Sequence, residues 1–398
     1  MTAKARALFD TYTRGATAAD VQRVFTRDTP EAYRYFTRGA DTERLAGEPW
    51  YRRWPLHARL LFTGFTMRLS PARRILYAFA LASALLGVIL LFEGFAATQV
   101  VVFPFSMDVP SPVWVPGTVW LLLGFIGVNL LILMEVADRL SLKGDLEIAR
   151  DIQLAMLPGG LRQAGDAVIC GLTQPANTVG GDLYDILERP DGRVAIVLGD
   201  VAGKGSPAAL LMALLVAMLR TLVDEGLEPA RLAARLNTQV IRHSPASRFI
   251  TLFFGLYDPR DGSLEYVNAG HLPPLIRRAD GRFERIAIDG SGIALGMFEH
   301  AEYEARRVTI HPGDTLVLYS DGITEAENAA GAAFDEQGLQ RIVSANAAQD
   351  PQALSRAILG GAKAHAGDAR LVDDLSVLVL KRAPAVPPRA PAGPTEDS

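Results

Sequence analysis

Two long stretches without a charged side chain set the first limit on this fold. Ile75 to Phe92 runs for 18 residues, and Val109 to Met134 for 26. At about 1.5 Å of rise per helical residue, each is long enough to cross ~30 Å of hydrocarbon. The expectation is two transmembrane helices, about 75–93 and 116–135, within a segment 71–137. The second starts near Pro116 or Gly117, because Pro110, Pro112 and Pro116 favour a bent entry. The first run lies too far into the chain for a cleavable signal peptide.

Basic residues orient this hairpin. Arg68, Arg73 and Arg74 precede the first run, Arg139 and Lys143 follow the second, and no Lys or Arg lies between Arg74 and Arg139. Residues 1–74 hold 14 Lys+Arg against 7 Asp+Glu, a local balance of +7 beside the first span. The positive-inside rule then places both termini in the cytoplasm and a short 94–115 loop outside. The expected location is a membrane, as a multi-pass protein in the lipid bilayer. The chain's net charge of −4 argues for no nucleic-acid partner.

The flanks read as helices and a tail. Residues 1–70 form a small helical cytoplasmic unit, with starts at Thr17-Ala18-Ala19-Asp20 and Thr29-Pro30-Glu31. Residues 138–158 form a linker helix. Leu133, Val136, Leu140 and Leu142, then Ile148, Ile152, Ala155 and Met156, recur at roughly helical spacing. That seam favours a homodimer through a short coiled coil, and Gly144 weighs against it. Residues 383–398 are proline-rich and read as disordered. The single cysteine, Cys170, cannot form an intramolecular disulfide and reads as a core residue.

From 159 to 382 short β runs mix with helices, which indicates α+β rather than a parallel sheet. Phe249–Tyr257 and Ser263–Asn268 read as a hairpin across Asp258-Pro259-Arg260-Asp261-Gly262. Helices fit Ser206–Val223 and Pro229–His243. The apolar core of the first, Pro207–Leu219, is too short for a bilayer and reads as buried against a sheet.

The chemistry lies in where the carboxylates fall. Asp182 follows Gly180-Gly181, Asp200 ends an apolar run before Val201, Asp321 ends another before Gly322, and Asp373-Asp374 open a third. A carboxylate at a buried strand end is costly unless a cation meets it. Several converging would make a hard, oxygen-rich site of the kind Mg²⁺ and Mn²⁺ prefer. Two such ions ~3.5–4 Å apart can bind a phosphate and activate a water. A lone Asp-Gly would be an ordinary turn. Gly199–Gly205 is no P-loop, since only three residues separate Gly199 from Gly203-Lys204 and Gly205 replaces the Ser/Thr.

These words resemble a known family. Ala149-Arg150-Asp151-Ile152-Gln153 with Leu157-Pro158, Val179-Gly180-Gly181-Asp182-Leu183-Tyr184-Asp185, Gly199-Asp200-Val201-Ala202-Gly203-Lys204-Gly205 with Ala208-Ala209-Leu210-Leu211-Met212, Tyr266-Val267-Asn268-Ala269-Gly270-His271, Leu318-Tyr319-Ser320-Asp321-Gly322-Ile323-Thr324-Glu325-Ala326 and Asp373-Asp374-Leu375-Ser376 are similar to the PPM-type (type 2C) metal-dependent phosphatases, in the SpoIIE/RsbU branch found in bacteria, which implies a bacterial inner membrane as the location. The resemblance covers about 146–382. It implies a β-sandwich flanked by helices, with two Mn²⁺ or Mg²⁺ ions at one end. It implies metal positions at Asp182, Asp200, Val201 (through its carbonyl), Asp321 and the 373–374 pair, with Asp373 ahead of Asp374. Asp200, Asp182 and Asp321 would be the catalytic carboxylates, and His271 would lie near them. The implied activity is a serine/threonine protein phosphatase. Its implied substrate is a phosphoserine or phosphothreonine protein, typically a STAS-domain anti-anti-sigma factor. The 145–157 helix matches the family's regulatory helix. The contrasting expectation is an inactive PPM-fold membrane scaffold or receptor.

Overall fold

The computed structural model describes residues 59, 62–67, 69–93, 95–102, 105–112, 115–244, 248–286, 292–367 and 371–384. Nearly all of the expected N-terminal unit and almost all of the proline-rich tail lie outside these residues. The chain divides after Leu140 into two compact units.

In the first unit, helix α1 (Pro71–Glu93) and the start of helix α2 (Val115–Met156) carry the two charge-free runs. They approach closely because small residues line the seam. A Cβ on Gly87 would stand 2.9 Å from the Gly117 carbonyl oxygen, and one on Gly124 would stand 2.9 Å from that of Ala80. At one end Arg73 pairs with Asp138 at 2.8 Å. The 94–115 connection is more than a loop: β1 (Phe95–Val102) and β2 (Phe105–Pro112) form an antiparallel ribbon. A two-stranded ribbon has only edge strands, where Pro110 and Pro112 are tolerated. Helix α2 runs 42 residues without interruption through Gly144. One mid-helix glycine costs about 1 kcal/mol, too little to break so long a helix.

The second unit is a sandwich of two antiparallel sheets. One holds six strands in the order β10-β9-β12-β13-β4-β3, the other five in the order β11-β8-β7-β6-β5. The ranges are β3 Leu161–Ala164, β4 Ala167–Gln174, β5 Leu183–Glu188, β6 Val194–Val201, β7 Ile250–Asp258, β8 Ser263–Ala269, β9 Leu275–Arg277, β10 Phe283–Arg285, β11 Arg306–Thr309, β12 Thr315–Tyr319 and β13 Leu375–Arg382. The central strands read as unbroken apolar runs because both of their faces are buried. On β6, Ile196 and Leu198 face the other sheet, where Leu316, Leu318, Leu378 and Leu380 meet them. Ala195 and Val197 point the other way, against α3 (Ser206–Asp224) and α4 (Pro229–His243). On the outer face of the six-stranded sheet, Val317, Val377 and Val379 meet α6 (Asp335–Ala345) and α7 (Pro351–Ala366).

Three described helices are long and apolar enough to cross a membrane: α1, α2 and α3. The third is used differently. Met212, Leu215 and Leu219 of α3 are fully buried against the sheet, as its short apolar core predicts. Cys170 on β4 is buried and free.

Candidate active site

Antiparallel pairing brings the acidic strand ends together. Leu183 lies opposite Gly199, so Asp182, just before β5, shares an end with Asp200 on β6. Tyr319 lies opposite Val377, so Asp321, which opens the short helix α5 (Asp321–Thr324), shares an end with Asp373-Asp374 before β13. The two ends coincide electrostatically. Burial pushes the Asp200 carboxyl up to about 6, and the charges of Asp321 and Asp373 push in the same direction. Burial, then Asp200 and Asp374, hold Asp182 well above the usual carboxylate range. Asp321 is raised by burial, then by Asp373 and Glu325. Burial and neighbouring negative charge shift each of these groups toward its neutral form, and a bound cation would oppose that shift.

Three observations bear on whether a hard cation fits. Asp182 is buried, and its Oδ2 has no hydrogen-bond partner among the described residues. Gly181 leaves a cradle: a Cβ there would stand 2.9 Å from the Val201 carbonyl oxygen and 3.2 Å from Asp200 Oδ1. Among the described residues no three His, Cys, Asp or Glu side chains are already arranged to hold one ion. The donors are thus an open set of oxygens. That fits Mg²⁺ or Mn²⁺, which retain several waters and use few protein carboxylates.

The two adjacent aspartates have different surroundings. Asp374 is buried, its Oδ1 accepting from the Ala176 amide at 2.8 Å and its Oδ2 from the Gly181 amide at 2.7 Å. It therefore pins the 176–182 loop. Asp373 is more open and pairs with Lys204 at 3.0 Å. Lys204 sits between Gly203 (φ 114°) and Gly205 (φ 76°), both in the left-handed region that favours glycine. Neither the P-loop comparison nor the family word gives Lys204 a role, and its pairing with Asp373 comes from the fold. Hydroxyl groups brace the strand ends: Ser320 Oγ donates to the Asp374 carbonyl oxygen at 3.1 Å and accepts from the Ser376 amide at 3.0 Å.

The end of α2 reaches the same loop. The Gln153 carboxamide grips both polar groups of Gly180, donating Nε2 to its carbonyl oxygen at 2.7 Å and accepting its amide at 3.1 Å. One turn on, Arg220 of α3 donates to the Met156 carbonyl oxygen and pairs at 2.7 Å with buried Asp185. Leu154, beside Gln153, is exposed.

His271 is buried. Its Nδ1 lies 3.1 Å from Thr251 Oγ1, and its amide donates to Asn268 Oδ1 at 2.7 Å. Burial lowers its pKa to about 4. A neutral, enclosed imidazole braces this corner and is a poor proton donor near neutral pH. Two cavities flank the carboxylates. One of ≈420 Å³ includes Gly322, Glu325, Val372 and Asp373 in its wall. The other, ≈480 Å³, is walled by Asp200, Gly203, Phe249, His271, Asp321 and Glu325 among others. Glu325 lines both, and neither strand pattern nor spacing singled it out.

A helix-covered antiparallel sandwich with acidic strand ends gathered at one edge has the architecture of the PPM-type proteins. Residues 190–383 match the family model for Stage II sporulation protein E (SpoIIE). Over this region the chain is similar to the SpoIIE/RsbU branch of the PPM-type proteins. The chain is 28% identical over 243 residues to the phosphoserine phosphatase RsbU of Bacillus subtilis, covering 61% of this chain and 71% of that one. It is 32% identical over 246 residues to protein IcfG of Synechocystis, covering 55% of this chain but 38% of that one. Against the phosphoserine phosphatase RsbP of Bacillus subtilis, identity is 27%, and 47% of each chain is covered. The SiaA-PP2C domain of Pseudomonas aeruginosa shares the fold, with a TM-score of 0.54 at 22% identity, covering 62% of this chain and 98% of that one.

Proposed function

We propose that this chain is a membrane-anchored, Mn²⁺- or Mg²⁺-dependent protein serine/threonine phosphatase. What supports the reading is that Asp182, Asp200, Asp321 and Asp373, each from a different stretch of chain, lie at paired strand ends and interact through their charges. The similarity to two phosphoserine phosphatases, RsbU and RsbP, supports the same class. The substrate proposed is a phosphoserine or phosphothreonine on a STAS-domain anti-anti-sigma factor. The complete set of carboxylates speaks against an inactive scaffold.

Asp182, Asp200, Asp321, Asp373 and the Val201 carbonyl oxygen would hold two divalent ions. Bound ions would supply Lewis-acid activation of water and neutralisation of phosphoryl charge. The chain's own residues arrange the rest. Asp374 and Gln153 fix the loop that presents Asp182. The two cavities leave room for a phosphorylated loop on either side of the carboxylates. Ser320 Oγ is engaged in bracing β13, so it is not free as a nucleophile.

Helices α1 and α2 are proposed as the membrane anchor, with both termini cytoplasmic on the strength of the flanking arginines. The Gln153 clip supports a regulatory reading of the α2 end, in which its docking sets metal occupancy. The direct test is Mn²⁺-dependent hydrolysis of p-nitrophenyl phosphate by the purified chain. Activity should vanish in Asp200→Asn and Asp321→Asn while both variants stay folded. Activity retained in both would end the proposal.

A further inference from the structure

Asn129 is out of place in an apolar helix. It is six residues before Glu135, the first charge after the run, which sets it about 9 Å inside the hydrocarbon if α2 spans the membrane. It is exposed, on a face of α2 turned away from the glycine seam with α1. Among the described residues its carboxamide makes one hydrogen bond, from Nδ2 to the Phe125 carbonyl oxygen of its own helix at 2.8 Å. Oδ1 and the second N–H are left for another molecule. Lipid tails offer nothing to either group, so a second polypeptide is favoured.

The neighbours on this face are spaced for helix pairing. Leu122, Asn129 and Val136 recur every seven residues, and Phe125 and Ile132 fall between them at the complementary heptad position. Leu122, Phe125, Ile132 and Val136 are 58%, 66%, 56% and 45% exposed. A single Asn at the first position of an apolar heptad seam is a known way to fix register and strand number. A carboxamide also carries both donor and acceptor, so it is complementary to itself across a twofold axis. That symmetry selects a second copy over an unrelated partner.

We propose that the face of α2 centred on Asn129 pairs with the same face of a second copy of this chain, with the two carboxamides hydrogen-bonded inside the membrane. The inference rests on the membrane-anchor reading above. It is independent of the phosphatase chemistry.

The test uses the full chain in native membrane vesicles, in a Cys170→Ala background so that each introduced cysteine is unique. Single cysteines are placed at 122, 125, 129 and 132, and at 121, 124 and 128 on the α1 side. Mild oxidation should give disulfide-linked homodimers from the first set and little from the second. In energy transfer between labelled copies, Asn129→Leu should weaken self-association about tenfold, the scale of a membrane hydrogen-bonded pair. Asn129→Gln should restore most of it. Uniform or absent cross-linking, or unchanged association in Asn129→Leu, overturns the pairing. Cross-linking to a different polypeptide overturns it in favour of a mixed assembly. Alkaline carbonate extraction separates the two readings. Release of the chain sinks the membrane anchor and the pairing with it, whereas retention without face-specific cross-links sinks the pairing alone.

Discussion

Removing the Gln153 carboxamide tests how the end of α2 supports the site. Gln153→Ala deletes both hydrogen bonds to Gly180, at 2.7 and 3.1 Å, from a side chain that is 5% exposed. Each bond contributes about 0.5–1.5 kcal/mol net, and a buried group left unpaired costs about 1–3 kcal/mol. Two backbone groups are orphaned, so the docked arrangement should lose about 2–4 kcal/mol. Asp374 still holds the Gly181 amide, so the loop loosens without being released. If half of that loss reaches the ion site, Mn²⁺ affinity falls about five- to thirtyfold, at about 1.4 kcal/mol per factor of ten. Leu154→Ala is the control, because that side chain is exposed. The assay is calorimetric titration of the purified full chain with Mn²⁺, alongside activity against Mn²⁺ concentration. Weakened binding in Gln153→Ala with Leu154→Ala unchanged is the expected result. Equal affinity in all three proteins would refute the reasoning.

Three further perturbations follow from the same geometry. Gly181→Ala would push a methyl group to within 2.9 Å of the Val201 carbonyl oxygen, so Mn²⁺ binding should weaken by about tenfold or more, alongside an overpacking loss of about 1–3 kcal/mol in a denaturant titration. Arg220→Met strands Asp185, which is fully buried, and should lower stability by about 2–4 kcal/mol in a denaturant titration. The companion double variant with Asp185→Leu should recover much of that loss. His271 is held neutral with its pKa lowered from 6.5 to about 4. Its contribution is complete above pH 6.5 and is lost as pH falls toward 4, because the unfolded chain takes up the proton first. Between pH 7 and 5 the native chain should therefore lose about 2 kcal/mol more stability than His271→Gln, measured as the difference in their denaturation midpoints.

The parts of this fold legible in sequence were those with a strong local signature. Charge-free length announced α1 and α2, and apolar runs ending in Asp announced β6 and β12. The burial of α3 followed from its short apolar core. Other features depended on tertiary context. The 94–115 segment reads as a loop because it only connects two long apolar runs, yet its two halves pair as an antiparallel ribbon. Gly144 weighs against a coiled coil in sequence, and the helix runs through it without interruption. The family words rank Asp373 ahead of Asp374 without a physical reason, and the fold gives Asp374 to the backbone amides and leaves Asp373 facing Lys204. Helix α7 had a readable start that went unused: Asp350 Oδ1 accepts from the Ala353 amide at 2.8 Å, with Pro351 in the first turn. Glu325 stands in the family word around Asp321, but its place in the walls of both cavities comes from the fold alone.

Anomalous X-ray scattering from crystals of the chain grown with Mn²⁺ probes the proposed ion site most directly. Two manganese peaks about 3.5–4 Å apart, bordered by Asp182, Asp200, Asp321, Asp373 and the Val201 carbonyl oxygen, are predicted. Crystals diffracting well at saturating Mn²⁺ with no peak among those oxygens would contradict the account.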